Sequence, residues 1–240
     1  MAEILGLKPN EIKKYDVYVV EQMEGNIREM EVIDDSNVGS MIIQLLDGLS
    51  QLEKASKSHN DINPKNVLYK LNEEFEVKLK ISGFGRCDRS GGTPGWTAPI
   101  FQSQRIAGKS DMYSIALVIL YILCDSAKMF YWLRDNYIES GNTVWLKKFQ
   151  NWPEITLVMK MMNLSNQPTV KECKEKWTEV LESEQFEMIT KERMDFIPES
   201  YKGYQYTSNE DKSSNEGESN EFNSEDINSV SLGELFIREK

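Results

Sequence analysis

Apolar residues recur at helical spacing in the segment that begins at Met41. The apolar positions are Ile42, Leu45, Leu46, Leu49 and Leu52. This i, i+3, i+4, i+7 pattern predicts a helix with one buried face. Farther along, the run from Ile115 to Cys124 is apolar on every side, which predicts a helix surrounded by protein. The run is shorter than the roughly 20 residues that a membrane-spanning helix needs, so we interpret it as a buried core helix.

Shorter β-type patterns precede the core helix. The β-branched and aromatic run Val17–Val20 predicts a buried strand. Asn66–Leu71 and Phe75–Ile81 predict two more strands, separated by the turn-like sequence Asn72-Glu73-Glu74. From Asp111 onward the pattern is almost entirely helical. The expected fold class is therefore α+β and mainly helical.

The composition changes near Glu199, after which Ser, Asn, Glu and Asp dominate through Asp226. Such a stretch cannot bury enough apolar surface to offset its ordering entropy, so we expect a disordered acidic tail. The tail ends in an apolar sequence that contains Leu235, Phe236 and Ile237. Three interpretations stay open for this end: a docking motif, a strand or helical turn that folds back, or a frayed terminus.

The net charge and the cysteine content limit which partners, metal sites and cellular locations can be expected for the chain. The 240 residues carry a formal net charge of -11, so nucleic acid and anionic membranes are poor partners and a basic or neutral protein suits the chain better. Cys87, Cys124 and Cys173 lie far apart and there is one histidine, which argues against a zinc site. The first residues lack a secretion signal pattern. We expect reduced thiols and a cytoplasmic location, with the nucleus as an alternative.

Three short segments occur in a fixed order: His59–Asn66, Ile81–Gly85 and Gly92–Pro99, followed by Asp111 at the start of the apolar helix. Their sequences, HNDINPKN, ISGFG and GTPGWTAP, resemble the catalytic loop, the metal-binding loop and the substrate-binding loop of eukaryotic protein kinases. Three matches in this order and spacing are far more specific than one. The resemblance covers about Ile4 to Leu181.

The resemblance implies the large lobe of a kinase fold with a small β ribbon and a vestigial small lobe. Val20 would gate the nucleotide pocket, and the backbone of Glu21 and Met23 would form the adenine-binding hinge. Trp145–Met162 and Thr169–Leu181 would complete the helical lobe. The implied organisation is a small-lobe remnant and hinge over 1–23, the kinase-like lobe over 24–185, a connecting segment over 186–198, and the acidic tail over 199–240.

The departures from the family decide the expected chemistry. Asp61 stands at the general base and Asn66 at the second metal ligand, but Gly83 replaces the metal-binding aspartate. Asn63 replaces the lysine that would steady the transferred phosphate, and Lys65 is displaced by two positions. Phosphoryl transfer depends on magnesium and on positive charge around the phosphates, so both losses are serious. We therefore expect Asp61 and Asn66 to be vestigial and to hold the loop by hydrogen bonds.

The sequence before the hinge-like segment is also too short for a glycine-rich loop, the nucleotide-binding lysine and its glutamate partner. The expected function is that of a pseudokinase: a protein-binding scaffold or regulator that docks a partner through its helical lobe, without ATP, magnesium or another metal. One alternative is a Ser/Thr kinase that binds ATP through Asn66 and the hinge, with weak or partner-dependent phosphotransfer. Another is a truncated gene model.

Further scaffold roles follow from the resemblance. Phe84 and His59 would pack together, and Asp111 would accept backbone N–H bonds beneath the loop. Thr93 would either bridge to Asp61 or cap the turn at Pro94. In kinases a buried glutamate–arginine pair joins two parts of the lobe, and here both places are neutral, at Ile100 and Gln167. Losing both charges together avoids the roughly 3 to 5 kcal/mol cost of stranding one of them.

Overall fold

A computed structural model describes most of the chain. The described residues are 15–30, 33–89, 91–98, 109–138, 151–184, 186–191, 193–194, 199–205 and 235–239. They divide into two compact units, one with residues 15–24 and 235–239 and the other with 25–205. Several sequence predictions lie wholly or partly outside the described residues: residues 1–14 of the small-lobe remnant, Pro99, Ile100, residues 145–150 of the predicted segment Trp145–Met162, and the stretch 206–234 of the tail.

The smaller unit is a two-stranded antiparallel sheet. Strand β1 (Tyr15–Val19) pairs with β5 (Leu235–Glu239), with Val17 opposite Ile237. The predicted strand at 17–20 is thus confirmed with a shift, because the strand ends at Val19. Of the three interpretations of the chain end, the strand that folds back is the one observed.

The larger unit is helical with a small sheet. Its helices are α1 (Asp35–Lys54), α2 (Lys109–Leu123), α3 (Ala127–Leu133), α4 (Pro153–Met162), α5 (Val170–Leu181) and the short α6 (Glu199–Lys202). A π-helical turn, Arg134–Ile138, extends α3. Single 3-10 turns occupy Pro64–Asn66 and Phe84–Arg86. Among the described helices, none is long and apolar enough to cross a membrane.

Helix α1 packs as its sequence predicts, but it begins at Asp35, before the predicted start at Met41. The Asp34 side chain accepts a hydrogen bond from the Ser36 N–H at 2.8 Å, which satisfies one of the free donors of the first turn. The buried face consists of Val38, Met41, Ile42, Leu45, Leu46 and Leu49. The predicted face is confirmed, except that Leu52 is only partly buried.

The sheet of the larger unit has the order β2–β3–β4, with β2 at Gly25–Asn26, β3 at Val67–Leu71 and β4 at Val77–Ile81. Both predicted strands are shorter than expected. Asn66 belongs to the 3-10 turn that precedes β3, and Phe75 is a turn residue with a φ of 61°. Its side chain is 75% exposed, so it does not extend the buried face of β4.

Side-chain amides of α1 cover the outer edge of β4. Asn37 accepts from the Val77 N–H at 2.9 Å and donates to the Phe75 carbonyl at 3.2 Å. Gln44 accepts from the Leu79 N–H and donates to the Val77 carbonyl, both at 2.8 Å. These amides provide the partners that another strand would supply, so the edge is not free to pair with a second chain.

Helix α2 is the centre of the core. Every residue from Ser110 to Leu123 is buried, which confirms the predicted all-round burial. Trp96 packs beside it and stacks on Phe130 with ring centroids 4.9 Å apart and an interplanar angle of 15°. Ser114 of α2 donates a hydrogen bond to the Trp96 carbonyl at 2.9 Å. The tryptophan therefore anchors the segment after the Gly-Phe-Gly turn to the core.

The chain after α5 stays attached to this core. The Ile189 N–H donates to the Leu123 carbonyl at 2.8 Å, and Tyr201 is buried against Trp132 with ring centroids 5.4 Å apart. Arg193 forms a 2.6 Å ion pair with Glu154, which is fully buried. The described part of the lobe thus extends to residue 205, beyond the predicted start of the tail at 199.

Candidate functional site

The loop His59–Asn66 is held from below by Asp111 at the start of α2. The Asp111 carboxylate accepts the His59 N–H at 2.7 Å and the Asn60 N–H at 2.8 Å. Burial raises the pKa of Asp111, and these two backbone hydrogen bonds act in the opposite direction. The predicted scaffold role of Asp111 is confirmed.

His59 connects this loop to the segment that contains Gly83. Its Nδ1 accepts the Asp61 N–H at 3.2 Å, and its Nε2 lies 2.6 Å from the Ser82 carbonyl oxygen. This hydrogen-bond network assigns the neutral tautomer with the proton on Nε2. The ring packs on Phe84 with centroids 4.8 Å apart, as predicted. His59 is completely buried, so it acts as a structural link.

The carboxylate of Asp61 is occupied by neighbouring donors. Its Oδ1 accepts the Thr93 N–H at 2.9 Å and the Thr93 hydroxyl at 2.6 Å, which confirms the predicted bridge. Asn63 Nδ2 lies 3.3 Å from the same oxygen. On the other side, Arg86 Nε lies 3.9 Å from Asp61 Oδ2. The Asp61 side chain is 17% exposed, which leaves little of it open to a substrate.

Asn63 has become part of the loop framework. It is 4% exposed, and its Oδ1 accepts the Lys65 N–H at 3.0 Å, which caps the 3-10 turn. Its Nδ2 donates to the Asp61 carbonyl at 3.0 Å and to the Thr93 hydroxyl oxygen at 3.1 Å. A buried neutral amide supplies no charge for a phosphate. Lys65 is exposed, and only its backbone N–H takes part in this cap.

Asn66 fills the space beside Gly83. Its Nδ2 donates to the Asp61 carbonyl oxygen at 2.7 Å and lies 3.3 Å from Asp61 Oδ2. A Cβ atom built on Gly83 would lie 2.4 Å from Asn66 Oδ1 and 2.5 Å from its Cγ, which is well inside contact distance. Gly83 also has a φ of 77°, in the left-handed region that favours glycine. The position therefore lacks a carboxylate, and a side chain could be placed there only if the Asn66 side chain moved.

These residues do not fit a kinase-type magnesium site. Magnesium needs hard oxygen ligands in near-octahedral geometry and is commonly held by carboxylates. Gly83, at the position of the metal-binding aspartate, contributes no side-chain oxygen, and Asn66, at the second ligand position, is a neutral amide whose Nδ2 is bound to the Asp61 carbonyl. Among the described residues, no group of three His, Cys, Asp or Glu side chains could hold a metal ion. The site is a loop held by hydrogen bonds between its own side chains and backbone.

The hinge residues belong to the smaller unit. Val20 is 41% exposed, Glu21 is exposed and Met23 is 7% exposed. Their predicted roles in adenine binding stay predictions.

Gln167, at the position that the kinase resemblance assigns to an arginine, forms two hydrogen bonds to backbone carbonyls. Its Nε2 donates to the Lys109 carbonyl at 3.0 Å and to the Met161 carbonyl at 2.7 Å. It therefore joins the start of α2 to the end of α4 without a charge. The sequence revealed the substitution of the arginine but gave no signal for these acceptors.

The protein kinase domain family matches residues 10–197 of the chain. This match covers well over half of the sequence and includes the loop, the glycine turn and α1 to α5. The chain belongs to the protein kinase domain family. The small sheet and the mainly helical lobe agree with a kinase-like fold that has a reduced small lobe.

Individual relatives are protein kinases, and two of the three described here are named serine/threonine-protein kinases. Calcium/calmodulin-dependent protein kinase type 1 of Caenorhabditis briggsae is 32% identical over 99 residues, which are 38% of this chain and 28% of the relative. The calcium and calcium/calmodulin-dependent serine/threonine-protein kinase of Lilium longiflorum is 31% identical over 146 residues, 51% of this chain and 28% of the relative. The probable serine/threonine-protein kinase zyg-1 of Caenorhabditis elegans is 27% identical over 123 residues, 45% of this chain and 17% of the relative. The chain thus spans less than a third of the length of each of these relatives.

Proposed function

We propose that this kinase domain is catalytically inactive and acts by binding a partner protein. The observation that carries the proposal is the contact between Gly83 and Asn66. A metal-bound phosphate needs an anionic anchor at this point, and the anchor is missing while a neighbouring amide fills its volume.

Asp61, Asn66 and Asp111 form hydrogen bonds that stabilise the loop and that do not require a bound nucleotide. Asp61 links its own loop to Thr93, Asn66 holds the Asp61 carbonyl, and Asp111 holds the loop from below. These bonds explain why Asp61 and Asn66 persist in a domain without phosphotransfer. They support a rigid scaffold, which suits a surface for docking.

A second candidate function is that of a Ser/Thr kinase with weak or partner-dependent phosphotransfer. It is favoured by Asp61, which keeps a hydrogen bond of 2.6 Å to the Thr93 hydroxyl, and by the names of the relatives. Under this candidate, ATP would bring magnesium into the loop, and Asn66 Oδ1 would be the ligand that the loop supplies.

A radiometric phosphotransfer assay separates the two candidates. The full chain is incubated with labelled ATP, magnesium or manganese, and a generic protein substrate, next to Asp61→Asn and the matched control Asp47→Asn on the exposed face of α1. We expect the same background in all three samples. Magnesium-dependent labelling that disappears in Asp61→Asn and persists in Asp47→Asn would establish the kinase instead.

A further inference from the structure

A groove lies between helix α1 and the last turn of α5. Its volume is about 360 Å³, within the range of roughly 300 to 1,000 Å³ that is usual for binding pockets. The lining residues are Gly39, Ser40, Ile43, Gln44, Thr178, Leu181 and Glu182. It is on the helical lobe and shares no lining residue with the loop His59–Asn66.

The floor of the groove is apolar and is kept open by small residues. Ile43 and Leu181 are partly buried and expose the remainder of their side chains. Gly39 has no side chain, and a Cβ built there would lie 3.5 Å from both methyl carbons of Leu181, an ordinary contact distance. Ser40 places a hydroxyl at the rim, where its Oγ accepts a hydrogen bond from Gln44 Nε2 at 2.9 Å. The groove can therefore receive one large apolar side chain without displacing the core.

The rim of the groove is electronegative. Leu181 ends α5 and Glu182 is its C-cap, so the negative end of the helix dipole lies at the groove. The last turn of α5 contains no basic residue, although a lysine or arginine would be the favourable choice there. Asp35, exposed on the first turn of α1, lies one turn before Gly39 on the same face of the helix. The rim therefore favours a positive charge from outside.

We propose that this groove binds a protein segment in which a large apolar side chain is adjacent to lysine or arginine. The apolar side chain would lie on Ile43 and Leu181, and the cation would pair with Glu182 and the carbonyl end of α5. This inference rests on the proposed function, because it names the surface and the chemistry of the partner that an inactive domain would bind.

Charge argues against two other occupants. A second copy of the chain would bring another formal charge of -11, and an acidic segment would place like charges on Glu182. A basic segment gains attraction at long range as well as at the rim, which raises its association rate at low salt. Its binding should therefore weaken as salt increases.

The test uses a random-peptide display library panned against the full chain. We expect enriched peptides to combine Trp, Phe or Leu with adjacent Lys or Arg. Ser40→Trp fills the groove and should weaken the selected peptides at least about tenfold, whereas Gln51→Trp, on the exposed surface farther along α1, should not. Glu182→Lys should weaken them by about three- to tenfold, whereas Glu74→Lys, which changes the net charge equally in the β3–β4 turn, should have little effect.

Three results would overturn the proposal: no enrichment of any peptide, enrichment of acidic peptides, or binding that Ser40→Trp leaves unchanged. Sedimentation of the chain alone measures whether two copies associate. Self-association that is lost in Ser40→Trp would assign the groove to a dimer interface. Phosphotransfer is measured on the same preparations. If the chain transfers phosphate and also binds peptides through the groove, only the proposed catalytic inactivity is refuted. If the chain is inactive and binds no peptide, only the proposed role of the groove is refuted.

Discussion

The contact between Gly83 and Asn66 makes a quantitative prediction about stability. Gly83→Ala places a methyl group where Asn66 Oδ1 and Cγ now lie, at 2.4 and 2.5 Å from the new atom. The asparagine must move, and its 2.7 Å hydrogen bond to the Asp61 carbonyl is then lost. The substituted residue must also keep the φ of 77° or rebuild the turn.

Two contributions determine how much Gly83→Ala should lower the free energy of unfolding. A non-glycine residue in the left-handed region costs roughly 1 to 2 kcal/mol. Loss of one hydrogen bond adds about 1 kcal/mol, reduced where water can replace the partner. We expect Gly83→Ala to lower the free energy of unfolding by about 2 to 3 kcal/mol.

Gly85→Ala is the matched control, because a Cβ at Gly85 would meet nothing within 4 Å. Urea unfolding of the full chain, followed by tryptophan fluorescence, measures both variants. Gly85→Ala should change stability little or raise it slightly, since alanine restricts the unfolded chain.

A double-mutant cycle isolates the contact itself. In an Asn66→Ala background the new methyl has no amide to displace, so Gly83→Ala should cost about 1 kcal/mol less than in the wild type. Equal costs in the two backgrounds, or equal effects of Gly83→Ala and Gly85→Ala, would show that Asn66 does not occupy this space in solution.

Three further predictions concern the framework. Gln44→Ala should lower the free energy of unfolding by about 1 to 3 kcal/mol and increase aggregation, because it exposes the β4 edge. Static light scattering of this variant, with Gln51→Ala as the control, measures the aggregation. Gln167→Ala should cost about 1 to 2 kcal/mol through its two lost carbonyl contacts, and a neutral result in urea unfolding would contradict that role. Burial raises the pKa of Glu154 above 4.5, so its contribution to stability is full below pH 4.5 and falls as pH rises through the folded pKa. The free energy of unfolding of wild type minus that of Glu154→Gln should therefore decrease over this window, and a flat difference would refute the sign.

The helical part of the fold was accessible from the sequence because burial imposes a period. The stripe from Ile42 to Leu49 located the buried face of α1, and the continuous run from Ile115 placed α2 inside the core. Strand ends were less accessible. The turn chemistry of Asn63 and Asn72, whose side chains bind nearby backbone N–H groups, shortened both predicted strands.

Contacts between distant parts of the chain could not be predicted. The pairing of β1 with β5 joins residues near opposite ends of the sequence, and the periodicity of either strand says nothing about its partner. The contacts of the Asn37 and Gln44 amides at the β4 edge were equally unpredictable, because neither residue carries a signal for its backbone partner.

The candidate site was predictable as a set of residues but not as an arrangement. The resemblance placed Asp61, Asn66 and Gly83 in one loop region, and it indicated the missing carboxylate. It did not reveal that Asn66 occupies the vacated volume, because that depends on the rotamer of one side chain. The space that the missing carboxylate would need at Gly83 is therefore occupied by the Asn66 side chain.

The most direct test of the inactive site is a thermal-shift titration with ATP in the presence and absence of magnesium. A ligand that binds the folded chain stabilises it by RT ln(1 + [L]/Kd), about 2.7 kcal/mol at a concentration 100 times Kd. We expect no magnesium-dependent shift at millimolar ATP. A saturable shift that requires magnesium and is lost in both Asp61→Asn and Asn66→Ala would contradict it.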